Sequence, residues 1–157
     1  MSLKENTKAP DFDLLDQSGI SHQLSDYLGQ WVLLYFYPKD DTPGCTTEAC
    51  DLRDQFSEVK KYNTIILGVS ADSVKSHEKF ATKHKLPFSI LADEEKKVVK
   101  LYDVWAPKKF MGREFLGINR VSFLIDPKGI IVKVYDPVKA SEHAKEVLID
   151  LKKYIHN

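Results

Sequence analysis

Cysteine is scarce: Cys45 and Cys50 are the only two in 157 residues. That is too few for a disulfide-stapled secreted scaffold, and two thiols do not complete a tetrahedral zinc site without two further ligands. His22, His77, His84, His143 and His156 are scattered, none at finger-like spacing from the thiols, so no metal is expected. His77 and His84 share a helix-face spacing that packing or exposure explains. Neither sign of charge is in excess, with 23 basic and 23 acidic residues. This argues against a nucleic-acid surface or a membrane-attracted patch. The segment Met1–Asp16 lacks the apolar region of a secretory signal or membrane anchor. Repeats, low-complexity tracts and Gly/Ser linkers are also missing, so residues 1–157 are expected to form a single domain.

Hydrophobic residues make up 43% and charged residues 29%, enough apolar material for a core and too much for a disordered chain. The run Trp31–Tyr37 is unbroken in apolar and aromatic character and reads as a strand buried on both faces. Thr64–Ala71 reads as a second, and the segment between them, Cys45–Tyr62, carries Ala49, Leu52, Phe56 and Val59 at helical offsets. Together they make a βαβ unit. Phe12–Leu15 and Ile20–Gln23 form an N-terminal hairpin, followed by a helical turn over Leu24–Leu28 capped from Ser25. Helices are predicted over Ser73–His84, Glu94–Tyr102 and Ser141–Ile155, and a short strand over Phe88–Leu91. Arg120–Ile125 and Ile130–Tyr135 flank a turn at Asp126–Gly129, while Val104–Gly117 reads as a loop. The element order predicts an α/β, thioredoxin-like fold: a mixed central sheet flanked by helices, with the β-hairpin as an N-terminal extension.

The two thiols sit where the first buried strand hands over to a helix. Cys45 follows Gly44 at the helix start, where unpaired N–H groups and the dipole favour an anionic sulfur. Thr42, Thr46 and Thr47 supply hydroxyl groups nearby. In an intact helix, residues five apart have Cα atoms roughly 8–9 Å apart and point about 140° away from each other. A disulfide tolerates no more than about 7 Å. Either the two never bond, or the first turns of the helix unwind. A thiol pair in such a chain fits a reducing cytoplasm, where the cysteines are either inert core residues or chemically used.

The run Tyr35-Phe36-Tyr37-Pro38-Lys39-Asp40-Asp41-Thr42-Pro43-Gly44-Cys45-Thr46-Thr47-Glu48-Ala49-Cys50 closely resembles the active site of the peroxiredoxin family, in the branch of bacterioferritin comigratory protein or peroxiredoxin Q. Pro38, Thr42 and Cys45 meet the motif Pro-x-x-x-Thr/Ser-x-x-Cys, and Phe115–Asp126 resembles the segment that carries the family's arginine. Ala9–Phe12 and Gly68–Ser70 extend the resemblance over essentially the whole chain.

The resemblance implies a thioredoxin-like fold and thiol-dependent reduction of hydroperoxides without metal or organic cofactor. Cys45 takes the role of peroxidatic nucleophile. Thr42 holds the peroxide in line, Arg120 stabilises thiolate and transition state, Glu48 orients Arg120, and Pro38 shields the site from water. Cys50 matches the resolving cysteine of the members that form their disulfide within one chain. Thioredoxin or a similar dithiol is the implied reductant, and the implied assembly is a monomer or a weak dimer. Read singly, Arg120 is equally a surface charge, Thr42 and Pro38 turn residues, and Glu48 a complement to the helix dipole. A redox sensor and a protein disulfide oxidoreductase are the competing functions, the second disfavoured by the four residues between the thiols. Trp105, Phe110, Met111 and Phe115 either line an apolar entrance or pack the loop on the core.

Overall fold

A computed structural model describes residues 3–155; His156 lies outside the described residues. A seven-stranded sheet carries the architecture, in the order β2-β1-β5-β4-β3-β8-β9. Its centre is β3 (Trp31–Phe36), parallel to β4 (Thr64–Ser70) on one side and antiparallel to β8 (Val121–Ile125) on the other. Beyond β4 lies β5 (Ser89–Ala92), and then the hairpin of β1 (Asp13–Leu15) and β2 (Ser21–Gln23). At the opposite edge β9 (Ile131–Tyr135) follows β8 across the expected Asp126–Gly129 turn. The expected mixed sheet between helices is therefore present, with its N-terminal hairpin.

The alternation hidden in the apolar run of β3 divides the core in two. Leu33, Tyr35 and Tyr37 join Cys45, Ala49 and Leu52 of α1 (Pro43–Asp54), Phe80 of α3 (Val74–His84) and Leu151 of α5 (His143–Tyr154). Val32, Leu34 and Phe36 face the other way, onto Phe12, Val98 of α4 (Lys97–Leu101), Tyr102 and Phe123. Both faces of the strand are thus covered, which is why it shows no polar alternation.

Four local expectations are corrected. The helix expected over Cys45–Tyr62 breaks at Gln55 (φ −98°, ψ 3°) into α1 and α2 (Phe56–Lys60), and α2 buries Val59 completely. The first helical turn is a 3₁₀ turn, Leu24–Tyr27, and its start is held by the Asp26 carboxylate accepting from the Gln23 N–H at 2.9 Å rather than by Ser25. Glu94–Tyr102 is helical only over Lys97–Leu101, because Lys96 adopts a left-handed φ of 61° and the buried Asp93 accepts from the Val99 N–H at 2.8 Å. Finally, Val104–Gly117 is no loop. It contains a ribbon of β6 (Trp105–Phe110) and β7 (Arg113–Ile118), closed by Met111 and Gly112 with φ of 51° and 77°. Two successive positive φ angles suit a two-residue hairpin turn. Of the residues expected to line an entrance or pack on the core, Trp105 packs part-buried against the core, whereas Phe110, Met111 and Phe115 are exposed, as is Leu116.

Candidate active site

Strand β3 delivers the chain to the site, and a set of buried hydrogen bonds fixes the loop that follows. The Tyr37 N–H donates to the Val69 carbonyl at 3.1 Å, keeping the chain on the sheet past the end of β3. Pro38, half-buried, then ends the strand pattern. Asp40 is buried and acts as the anchor of the loop. One carboxylate oxygen accepts from the Tyr37 hydroxyl at 2.6 Å; the other meets the Ser76 hydroxyl at 2.8 Å and His77 Nδ1 at 2.7 Å. The Asp40 N–H donates to Asp72 at 2.9 Å, and His77 Nε2 donates to the Leu91 carbonyl at 2.9 Å. Asp40, Asp72 and His77 converge within 4.8 Å, and these bonds tie the loop to α3 and to the ends of β4 and β5.

Thr42 is the N-cap of α1, extended at φ −91°, ψ 154°, and Pro43 occupies the first helical position, where its missing N–H costs nothing. The Thr42 carbonyl accepts from the Thr46 N–H at 2.8 Å, the first bond of the helix. Cys45 therefore lies in the first turn, ahead of that bond, at the positive end of the helix. The Thr42 hydroxyl donates to the Lys39 carbonyl at 2.8 Å, which leaves its lone pairs to accept from an incoming O–H.

Arg120 is brought in by strand pairing. The antiparallel register sets Val121 opposite Phe36, and Arg120 lies one residue beyond this pair. Its backbone carbonyl accepts from the Val138 N–H at 2.9 Å. From there Nη2 reaches Cys45 Sγ at 3.4 Å, and Nη1 donates to Glu48 Oε1 at 2.8 Å. Cys45 is 1% exposed and the Glu48 side chain is fully buried.

The electrostatics follow from this burial. Burial pushes the Glu48 carboxyl up to about 7, against the pull of Arg120. Burial also opposes the charge on Arg120, but Cys45 and Glu48 outweigh it and raise its pKa. The fork geometry of a guanidinium suits it to two partners at once. The result is a buried sulfur facing a fixed cation, next to a helix start.

Cys45, Arg120 and Glu48 are thus in direct contact, with Thr42 and Pro38 in the loop that leads to them. Cys50 stands apart. It lies further along α1, half-buried, with Sγ 3.7 Å from His84 Nδ1 on α3. Both cysteines are free, and α1 is continuous between them.

Three neighbours escaped the sequence reading. Tyr35 lies on the active-site face of β3; burial, then Glu48 and Cys45, push its hydroxyl well above the usual range. Lys108 of β6 is half-buried, its ammonium donating to the Ile118 carbonyl at 2.8 Å and close enough to Arg120 and Cys45 to feel their charges. Nothing in the sequence of this ribbon, which shows no strand period, singles Lys108 out. His84 is the third, and no local pattern joins it to a cysteine 34 residues away.

The AhpC/TSA family profile matches residues 6–134. Peroxiredoxin Bcp of Bacillus subtilis (strain 168) is 47% identical over 152 residues, covering 97% of both chains. Peroxiredoxin Bcp of Escherichia coli (strain K12) gives the same identity and coverage. Among solved structures, a peroxiredoxin Q of Xanthomonas campestris superposes with a TM-score of 0.86 at 40% identity, covering 91% of this chain and 90% of that one. Members of this family act on hydroperoxides and draw reducing equivalents from thiols. The chain belongs to the AhpC/TSA family, in its Bcp or peroxiredoxin Q branch, and is a thiol-dependent peroxidase.

Proposed function

We propose that Cys45 is the peroxidatic residue and Cys50 the resolving one, in a cycle that detoxifies hydroperoxides within a single chain. The observation that carries this reading is the double contact of Arg120, at 3.4 Å to Cys45 Sγ and 2.8 Å to Glu48. It supplies a held positive charge where negative charge shifts from sulfur to the leaving oxygen.

In the first step the Cys45 thiolate attacks the terminal peroxide oxygen. The O–O bond breaks, sulfur is oxidised to sulfenic acid, and the alkoxide or hydroxide takes up a proton and leaves as alcohol or water. Thr42 accepts from the peroxide O–H and aligns it, Arg120 stabilises both oxygens, Glu48 holds Arg120, and Pro38 screens the sulfur. Because nucleophilicity falls along with basicity, this alignment, beyond thiolate formation alone, accounts for much of the acceleration. In the second step α1 opens at its start, Cys50 attacks the sulfenic sulfur, and water leaves as the disulfide forms. An external dithiol, which we take to be thioredoxin, then reduces the disulfide.

We take the chain to act in a reducing cytoplasm, which a sequence with only two cysteines fits. We further propose that the chain acts as one domain and as a monomer or weak dimer. A related structure, of Xanthomonas campestris bacterioferritin comigratory protein, is described for its alkyl peroxide reduction activity. Exposed Phe110, Met111 and Phe115 support organic hydroperoxides as substrates here beside hydrogen peroxide.

The test is peroxide consumption coupled to thioredoxin. Cys45→Ser abolishes turnover, and retained turnover in that variant overturns the assignment. Cys50→Ser gains one oxidised sulfur at Cys45 per peroxide but recycles poorly; an unoxidised Cys45 after one equivalent rejects the division of roles.

A further inference from the structure

The cycle leaves open how Cys50 becomes a nucleophile. A thiol must lose its proton before it attacks a sulfenic sulfur, and free thiols titrate near ~8.5, above neutrality. Cys50 lies in the body of α1 with no helix start beside it. It lies instead against the C-terminal end of α3, where His84 Nδ1 is 3.7 Å from its Sγ.

The other imidazole nitrogen is directed as well. His84 Nε2 lies 3.6 Å from Asp41 Oδ1, in the loop before α1, and is buried without a hydrogen-bond partner. The ring is steadied by an edge contact with Phe80, centroids 5.2 Å apart. If Nδ1 accepts from the Cys50 thiol, the imidazole proton sits on Nε2, the nitrogen that faces the carboxylate. Thiol, imidazole and carboxylate thus stand in the order that makes an imidazole a general base.

Other charges around the ring fit this role. Arg53 of α1 donates from Nη1 to the His84 backbone carbonyl at 2.8 Å and is close enough to Cys50 to feel its charge. Arg53 also pairs with Asp54 at 2.9 Å, and Lys83 Nζ pairs with Asp41 at 3.1 Å.

We propose that His84 is a second catalytic base, dedicated to the resolving step, with Asp41 as its positioning residue; this rests on the cycle proposed above. While α1 is intact, His84 Nδ1 takes the Cys50 thiol proton. Opening of α1 carries the thiolate to Cys45, where its electron pair forms the S–S bond and the S–O bond breaks. The departing hydroxide becomes water with a proton from solvent, and the imidazolium returns its proton to solvent. The net change is one thiol and one sulfenic acid converted to one disulfide and one water. Cys45 and Cys50 would then be activated by different means, a fixed cation for the first and a removable proton for the second.

The experiment is rapid mixing of the reduced full chain with one equivalent of hydrogen peroxide, followed by acid quench, thiol trapping and intact mass. It resolves sulfenic acid formation from disulfide formation. At pH 7, His84→Asn and His84→Gln lower the ratio of the second rate to the first by about 100-fold or more, the lower end of general-base effects. The deficit shrinks as pH rises toward free-thiol titration, and added imidazole partly restores the rate. Asp41→Asn gives a smaller deficit with the same pH trend. A deficit constant across pH and unmoved by imidazole, or no deficit, overturns the His84 assignment while the cycle stands. If the unsubstituted chain forms no Cys45–Cys50 disulfide, the cycle and this inference both fall.

Discussion

A methyl group at Gly44 would lie 3.0 Å from Nη2 of Arg120, so the glycine is the space through which the guanidinium approaches the helix start. Its role is steric, since no positive φ is required of it. Gly44→Ala should therefore separate stability from activity. Alanine in a helix gains up to about 1 kcal/mol over glycine, while displacement of Arg120 by a few tenths of an ångström slows peroxide attack, about 10-fold by comparison with the ~100-fold cost of a 1 Å misplacement. Urea unfolding and stopped-flow peroxide oxidation measure the two effects. Unchanged oxidation in a normally folded Gly44→Ala chain removes the steric argument.

Arg120→Lys keeps the charge and loses the fork. A single ammonium does not reproduce the paired contacts to Cys45 and Glu48. Loss of one aimed donor costs roughly 10²–10³-fold in comparable sites, so the peroxide step slows by that order, while reduction of the preformed disulfide changes little. Equal slowing of both steps would count against the assigned role.

Glu48 links the site to pH. Its folded pKa is raised to about 7 from an ordinary 4.5, so between these values the folded chain binds more proton than the unfolded one. The stability contribution is fully present below about 4.5 and is lost as pH rises through about 7. The melting temperature of the unsubstituted chain, measured relative to Glu48→Gln, should fall across that window and level off on either side. A difference that stays constant from pH 4 to 8 is the contrary result.

His77 is predicted to matter for the loop rather than the chemistry. Leucine there strips a buried partner from Asp40 and from the Leu91 carbonyl. Leaving buried polar groups short of a hydrogen-bond partner costs about 1–3 kcal/mol each. Chemical denaturation should show the loss, and a cost below about 1 kcal/mol would mean that the loop is held by other contacts.

The central βαβ unit was legible because Trp31–Tyr37 is apolar on both faces and Ala49, Leu52, Phe56 and Val59 keep helical spacing. The thiol motif was legible for a similar reason, since Pro38, Thr42 and Cys45 are local. The ribbon was not, because its outer part is exposed: Phe110, Met111, Phe115 and Leu116 bury no face that could impose a period of two, and only its base, at Trp105 and Ile118, meets the core. Nor was the break at Gln55, since Phe56 and Val59 continue the same spacing through it. Asp40 read as an unremarked loop acid, although its partners Ser76 and His77 lie 36 and 37 residues away. Such pairs become visible only when α3 is laid beside the loop.

Helix α3 holds both ends of the region that the proposed disulfide would rearrange. Near its first turn Ser76 and His77 grip Asp40, while its last residue touches Cys50. In the proposed cycle it would be the fixed jaw of a clamp whose other jaw, the start of α1, swings. Oxidation should free the Cys50 end and leave the Asp40 end gripped, so amide exchange in the disulfide form should quicken in the first turns of α1 and stay slow through α3.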